Sequence, residues 1–365
     1  MDKARFPRDK TCGDGLSPPA LEVLDRLGVG ETIARLNPWR VEGIDFFSPE
    51  GQRVRAGFSH LSGKYKHGSV LPRRELDFQL WKAAQAFSNI RAIENCEGEN
   101  LVYDGERVAG IHARQANSVE PFRGKVIVGA DGAYSTLAKA FPLPPLGFRN
   151  FAFGLRGYFH QVEDLTHQIE IHCERSLLPG YGWVFAVGET SANVGVGISL
   201  PLLKGNDLKK LFRFFVAENP SLKERLRGAE LAEGSVKGWP IPLGTFSRKR
   251  GHKNLLLVGD AGHFADVLSG EGIYFALRVG ECAAEAVDAA FQTPGGAEGA
   301  GEIYEKLWRR SLRAGEYVIG NLLQKWVLKE PFLNFNVGRA RKNPAMARNL
   351  ASILCHEKSK MRLLF

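Results

Sequence analysis

The sequence predicts an α/β protein in which a doubly wound, parallel-sheet domain is interrupted by an antiparallel β-rich domain and followed by a helical tail. Three observations point there. Two apolar runs, "VIVG" at 126–129 and "LLLVG" at 255–259, each end in a glycine-bearing turn and lead into a helical pattern, as strands of a parallel sheet do. Between them, segments from about Pro142 onward alternate apolar and polar residues like antiparallel strands. Beyond Gly301 the pattern is helical and increasingly basic.

In chain order, Ser17 followed by Pro18 and Pro19 starts a helix that runs to about Leu27 and stops at Gly28. Residues 41–54 alternate and turn at "SPEGQ", which predicts a hairpin. Leu76, Leu80, Ala83 and Ala84 share one face of a helix reaching Phe87. "ERVAGIHAR" and "GKVIVGADGA" read as strands, the second apolar enough to be buried. "QIEIHC", "GYGWVFAVG" and "SANVGVGISL" form the antiparallel block, and a basic amphipathic helix is expected from about Asp207 to Arg227. "NLLLVGDAG" is again a short buried strand, followed by the long helix "GEGIYFALRVGECAAEAVDAAF" and the linker "TPGGAEGAG".

The 365 residues are 44% hydrophobic, 24% charged and 10% aromatic, which excludes a disordered chain, a collagen-like repeat and a coiled coil. With 49 Lys and Arg against 40 Asp and Glu the formal charge is +9, favouring anionic partners without indicating nucleic acid, for which no binding module is present. Cys12, Cys96, Cys173, Cys282 and Cys355 are scattered, so reduced thiols in a cytoplasmic setting and no zinc site are expected. No run reaches the length of a membrane span, and the N-terminus lacks a secretory apolar core.

Chemistry concentrates in two turns. Gly259-Asp260, followed by Gly270-Glu271-Gly272, puts a carboxylate at the carboxyl edge of a buried strand, where ligands of α/β folds sit. Its glycines let backbone approach a flat ligand before a helix whose N-terminus favours an anion, and a reduced flavin carries its negative charge at one end of the ring. The other reading is an ordinary strand-turn-helix. Gly129-Ala130-Asp131-Gly132, with Ser135 opening a helix, again offers backbone donors.

These two segments resemble the Asp-Gly and Gly-Asp motifs of FAD-dependent oxidoreductases with the glutathione-reductase-type fold, in the order found in aromatic hydroxylases. Three further pieces are similar to the geranylgeranyl reductase family: "RFPRDKTCGDGLSP" (5–18), "RRELDFQL" (73–80) and "PGYGWVFAVGETSANVGVG" (179–197). The resemblance implies FAD, with Asp2 at the adenosine ribose, Arg73 near the flavin, and Asp131 and Gly132 in the second motif. It also implies Gly259 and Asp260 at the ribityl-phosphate part, Gly270, Glu271 and Gly272 beside the ring, and Cys12 and Gly13 in a catalytic turn facing it. Tyr181, Trp183 and Phe185 would line a cavity for a prenyl-lipid substrate, where burial contributes about 0.8 kcal/mol per CH₂. The domains expected are an FAD-binding domain (1–40, 66–141 and 250–295), a substrate domain (41–65 and 142–249) and a helical basic region (301–365).

Bland alternatives stand beside these roles. The aromatic stripe can be core, Cys12 a small buried hydrophobe, Asp2 a solvated terminal residue, and His263 a surface group of the loop. The sequence also departs from the family. No G-x-G-x-x-G occurs in it, so this chain as written is expected to bind FAD poorly or not at all and to be impaired in activity, either because its start lies further upstream or because it is a decayed paralogue. Val267 stands where the family usually has proline, and Gly262-His263 where Ala-Gly is commoner.

The expected activity is reduction of isolated C=C bonds in a prenyl chain, with electrons from NAD(P)H or a ferredoxin-type donor. The alternatives are an FAD-dependent aromatic monooxygenase or halogenase, and a non-catalytic basic protein that associates with membranes. The last rests on Arg339, Arg341, Lys342, Arg348, Lys358, Lys360 and Arg362 standing against Glu357, a run that otherwise reads as a solvated helix face or a peripheral membrane contact.

Overall fold

The computed structural model of the chain describes residues 1–364 other than 106, 140, 142–149, 201, 202, 204–206 and 247. The proline-rich stretch at which the sequence changes character, 142–149, lies outside the described residues. The chain forms two compact units: the first comprises residues 1–8, 80–150 and 241–318, the second residues 9–79, 151–240 and 319–365.

In the second unit a large sheet runs in the order Glu230–Leu231, Phe151–His160, Ser191–Ser199, Tyr181–Ala186, Gln168–His172, Gly43–Phe47, Arg53–Gly57. Neighbours are antiparallel except Gln168–His172 beside Gly43–Phe47, which is parallel. The predicted hairpin is present as Gly43–Phe47 and Arg53–Gly57. Strand Ser191–Ser199 is central, so Val194, Val196 and Ile198 pack with Leu155, Phe212 and Phe215 into a core cluster. Phe212 and Phe215 come from the helix Leu208–Glu218, which is capped by the Asp207 carboxylate accepting from Lys209 N at 2.9 Å. The sequence reading carried this helix to Arg227. It ends at Asn219, whose extended ψ of 122° is the conformation that Pro220 imposes on its predecessor.

Helix Pro18–Arg26 begins as expected after an extended Ser17, although the serine side chain makes no capping bond. It ends where Gly28, at φ 73°, turns the chain back and the Val29 amide donates to Leu24 O at 3.0 Å. A short helix, Gly30–Arg35, was not anticipated.

In the first unit, Leu255–Leu257 pairs in parallel with Ile127–Gly129 and continues an antiparallel pairing with Gly251–His252. A separate antiparallel meander joins Cys96–Asp104, Arg107–Gln115 and Ser118–Arg123. The helices Ile273–Phe291 and Ala300–Ser311 follow. Leu255 and Leu257 are buried as read from the sequence, but the other strand is buried only in part: Gly129 is covered while Val128 is 44% exposed. Two faces of a strand point opposite ways, so an apolar run predicts two-sided burial only where both faces are covered.

Candidate functional site

In the second unit, the Cys12-Gly13-Asp14 turn is fixed by side chains from distant strands. Asp14 has a positive φ of 68° and is fully buried. Its Oδ2 accepts from the Tyr158 hydroxyl at 2.5 Å and from Asn193 Nδ2 at 2.8 Å, and its Oδ1 accepts from the Arg73 amide at 3.1 Å. Asn193 Nδ2 also donates to the Cys12 carbonyl at 2.7 Å, while Asn193 Oδ1 accepts from the Trp183 indole at 3.0 Å. One buried amide therefore ties the turn, the carboxylate and the indole together. Burial pushes the Asp14 pKa up, opposed by the donors from Tyr158, Asn193 and Arg73.

Gly13 cannot carry a side chain here, because a Cβ would lie 2.8 Å from Phe185 Cε2. Tyr181, Trp183 and Phe185 alternate along one face of the strand Tyr181–Ala186, with ring centroids 6.3 and 6.4 Å apart. The indole of Trp183 lies over Gly195 of the neighbouring strand, where a Cβ would come within 2.2 Å of Cζ2. The repeated glycines of "NVGVG" thus make room for the aromatic stripe.

Arg73 starts the helix Arg73–Gln85 and forms a two-pronged pair with Asp77, at 2.7 and 2.8 Å. Burial works against its charge, but the Asp77 carboxylate raises its pKa further, so it stays a cation. Burial pushes the Cys12 thiol up, and Arg73 only partly offsets this, so Cys12 is a protonated thiol at neutral pH. Beyond the turn, Arg156 is fully buried. It donates to both Asp9 oxygens at 2.7 and 2.9 Å and lies 4.5 Å over the Tyr158 ring, and Lys237 also reaches Asp9 at 2.9 Å. Asp9, Asp14, Arg156, Tyr158 and Asn193 were not singled out from the sequence. The one available signal was the polar Asn193 within an apolar, glycine-rich strand.

In the first unit, strand Leu255–Leu257 passes into the tight turn Gly259–Gly262 carrying Asp260. Gly259 has φ 53°, a conformation that favours glycine, and a Cβ there would only touch Ala276 at 3.4 Å. Gly270 has φ 68°, and Gly272, which has no side chain of its own to cap with, is the N-cap of Ile273–Phe291. A Cβ on Gly272 would sit 3.9 Å from Asp260 Oδ1, so the two glycine motifs, 259–260 and 270–272, are brought together. The Glu271 carbonyl accepts from the Asp266 amide at 2.9 Å, and Asp266 Oδ1 receives Leu268 N, Ser269 N and Ser269 Oγ, which sets the loop between the motifs.

His263 is not a surface group. It is buried at φ 54°, with its pKa pushed down to about 3 by burial and by the charges of Arg248 and Arg250. Arg250, fully buried, holds this turn: it donates to Gly262 O at 2.7 Å, Arg248 O at 3.0 Å, and Thr245 O and His263 O at 2.9 Å each. Phe264 and Trp308 each face its guanidinium at 4.4 Å.

Asp131 accepts from Ser135 Oγ at 2.5 Å and from Thr136 N at 2.7 Å, so its carboxylate caps the short helix Thr136–Lys139. Gly132, at φ 81°, has open space where a Cβ would be. Asp2 is half-buried: its Oδ1 accepts from Ala4 N at 2.8 Å, and its backbone bonds Ile93 and Cys96. Among the described residues no cluster of His, Cys, Asp and Glu could hold a metal, and no helix is long and apolar enough to cross a membrane.

A carboxylate beside a helix N-terminus, reached through left-handed glycines, is an arrangement that can receive a nucleotide-type ligand on an α/β fold. The chain belongs to the family described as FAD binding domain, whose model matches residues 1–278, and it is an FAD-dependent oxidoreductase. It is 31% identical over 295 residues to the menaquinone reductase of Mycobacterium tuberculosis strain H37Rv, covering 79% of this chain and 70% of that one. It is 28% identical over 323 residues to the digeranylgeranylglycerophospholipid reductase of Thermoplasma acidophilum, covering 87% and 77%. Among solved structures, a geranylgeranyl bacteriochlorophyll reductase-like protein from Thermoplasma acidophilum shares the fold at TM-score 0.81 and 21% identity over 99% of this chain and 89% of that one. A flavin-dependent brominase does so at TM-score 0.77 and 18% identity, again over 99% and 89%.

Proposed function

We propose that the protein reduces carbon–carbon double bonds of a prenyl lipid, taking electrons from a nicotinamide or a ferredoxin-type donor. The observation that carries this reading is the aromatic face of Tyr181, Trp183 and Phe185, set against the Cys12-Gly13 turn through the contact at Gly13. Relatives named as reductases of digeranylgeranylglycerophospholipid and of menaquinone support it.

Asp260 and the helix N-terminus after Gly272 would hold the polar part of FAD, with Gly132, Gly259 and Gly270 allowing close backbone approach and Asp2 reserved for the ribose. FAD, when bound, supplies the two-electron reducing chemistry. The chain's own residues do the rest. The aromatic face orients an apolar chain and excludes water from it, at about 0.8 kcal/mol per CH₂ buried. Saturating an alkene also needs a proton at the second carbon, and Cys12 Sγ is a thiol that burial keeps protonated for that purpose. Asp77 fixes the Arg73 cation beside it, and Asp14 with Asn193 fixes the turn. Exposed Arg339, Arg341, Lys342 and Arg348 give the tail a means of peripheral contact with anionic lipid, at roughly 1 kcal/mol per basic residue near the surface.

The test is anaerobic incubation of the FAD-loaded protein with a geranylgeranyl lipid and a chemical reductant, followed by mass spectrometry of the lipid. Gain of one H₂ per bond is expected. An unchanged lipid, together with oxygen uptake driven by an aromatic substrate, would assign the protein to the monooxygenases or halogenases instead.

A further inference from the structure

Two arginines stand two residues apart before the strand Leu255–Leu257, and the fold treats them differently. Arg250 spends its guanidinium on four backbone carbonyls inside an aromatic cage. Arg248 is only 7% exposed, and no described residue accepts a hydrogen bond from its side chain or pairs with its charge; its Nε is buried without a partner. Burial alone pushes its pKa down. Glu305, the carboxylate that meets this segment, is committed elsewhere: it accepts from the amides of Arg250 and Gly251 and pairs with Arg309 at 2.9 Å.

Leaving a buried guanidinium unpaired is costly, and native interiors seldom do so without a ligand to complete the pairing. The Arg250 charge is offset only in part, by Glu305 at its backbone amide, since carbonyls solvate a cation without neutralising it. Both cations act on His263, in the turn that carries Asp260. One unpaired positive charge beside a second that is only partly offset favours a dianion over a carboxylate, and a guanidinium fork matches phosphate oxygens in pairs.

We propose that Arg248 is the ligand-binding residue of an oxyanion site beside the Gly259–His263 turn, built for a phosphate or diphosphate group. The group can arrive on a dinucleotide or on a phosphorylated lipid. The site does not depend on the prenyl assignment.

The test compares wild type with Arg248→Met by thermal unfolding, with and without inorganic pyrophosphate, using sodium chloride at matched ionic strength as the control. Wild type is expected to gain thermal stability with pyrophosphate. Arg248→Met is expected to match or exceed wild type without it, because an unpaired buried charge is gone, and to bind pyrophosphate about tenfold to a hundredfold more weakly. Arg248→Lys, which keeps the charge and loses the fork, should retain a reduced response. Loss of the wild-type response when FAD is saturating assigns the anion to FAD; persistence assigns it to substrate or donor, which glycerol phosphate and adenosine diphosphate then separate. The proposal is overturned if wild type ignores pyrophosphate, if Arg248→Met keeps the full response, or if both variants lose stability in its absence, which would make Arg248 a structural residue.

Discussion

Two turns in this molecule meet the same problem with opposite charges. Both place a non-glycine residue at positive φ beside a glycine: Asp14 after Gly13, and His263 after Gly262. The first turn is held by a buried carboxylate that collects donors from Tyr158, Asn193 and the Arg73 amide. The second is held by a buried guanidinium that supplies donors to carbonyls. A carboxylate has few lone pairs and tolerates neutral donors; a guanidinium has five donors and can saturate a whole turn of carbonyls. The second turn should therefore be the more sensitive of the two to loss of its anchor.

The largest expected effect follows. Arg250→Met leaves four buried or half-buried carbonyls without a donor and should lower stability by about 3–5 kcal/mol, read by denaturant unfolding. Asp14→Ala strands three donors at the other turn and should cost about 3 kcal/mol, with Asp14→Asn recovering part of it. If Asp14→Ala costs more than Arg250→Met, the ranking of the two anchors is wrong. Gly13→Ala drives a methyl into Phe185 and should cost about 2 kcal/mol, relieved by Phe185→Leu in the double variant. Trp183→Phe keeps the ring but removes the donor to Asn193, for about 1 kcal/mol.

The smallest effect at neutral pH belongs to His263→Asn, which keeps a residue tolerant of positive φ. The unfolded chain binds a proton at His263 below about pH 6.5, while the folded chain resists down to about pH 3. Stability is therefore lost as pH falls through that window, at up to ~1.4 kcal/mol per pH unit, and the variant should flatten that slope by one proton while leaving pH 7 unchanged. Unfolding curves across the window check this.

The glycine-bearing turns were legible in the sequence because only glycine serves comfortably where φ is positive or a Cβ would collide, as at Gly13, Gly259 and Gly270. The aromatic stripe was legible because strand alternation put Tyr181, Trp183 and Phe185 on one face. The anchors were not. Asp14 in "CGDG" reads as a turn former, and its partners Tyr158 and Asn193 lie 144 and 179 positions away. Arg250 in "SRKRGHK" reads as a solvated basic loop, since its cage comes from Phe264 and Trp308 farther along the chain. Lys360 was grouped with the basic tail, yet it is buried, because charge patterning does not record which face of a helix is covered. The stop at Pro220 was available in the sequence but was outweighed by apolar periodicity.

The account's central claim is tested most directly by a single turnover. FAD-loaded protein is photoreduced under argon and mixed with a geranylgeranyl lipid while the flavin absorbance and the lipid mass are followed together. Flavin reoxidation in step with saturation of the lipid is the predicted result. A flavin that stays reduced beside intact lipid, and reoxidises only when air is admitted, would contradict it.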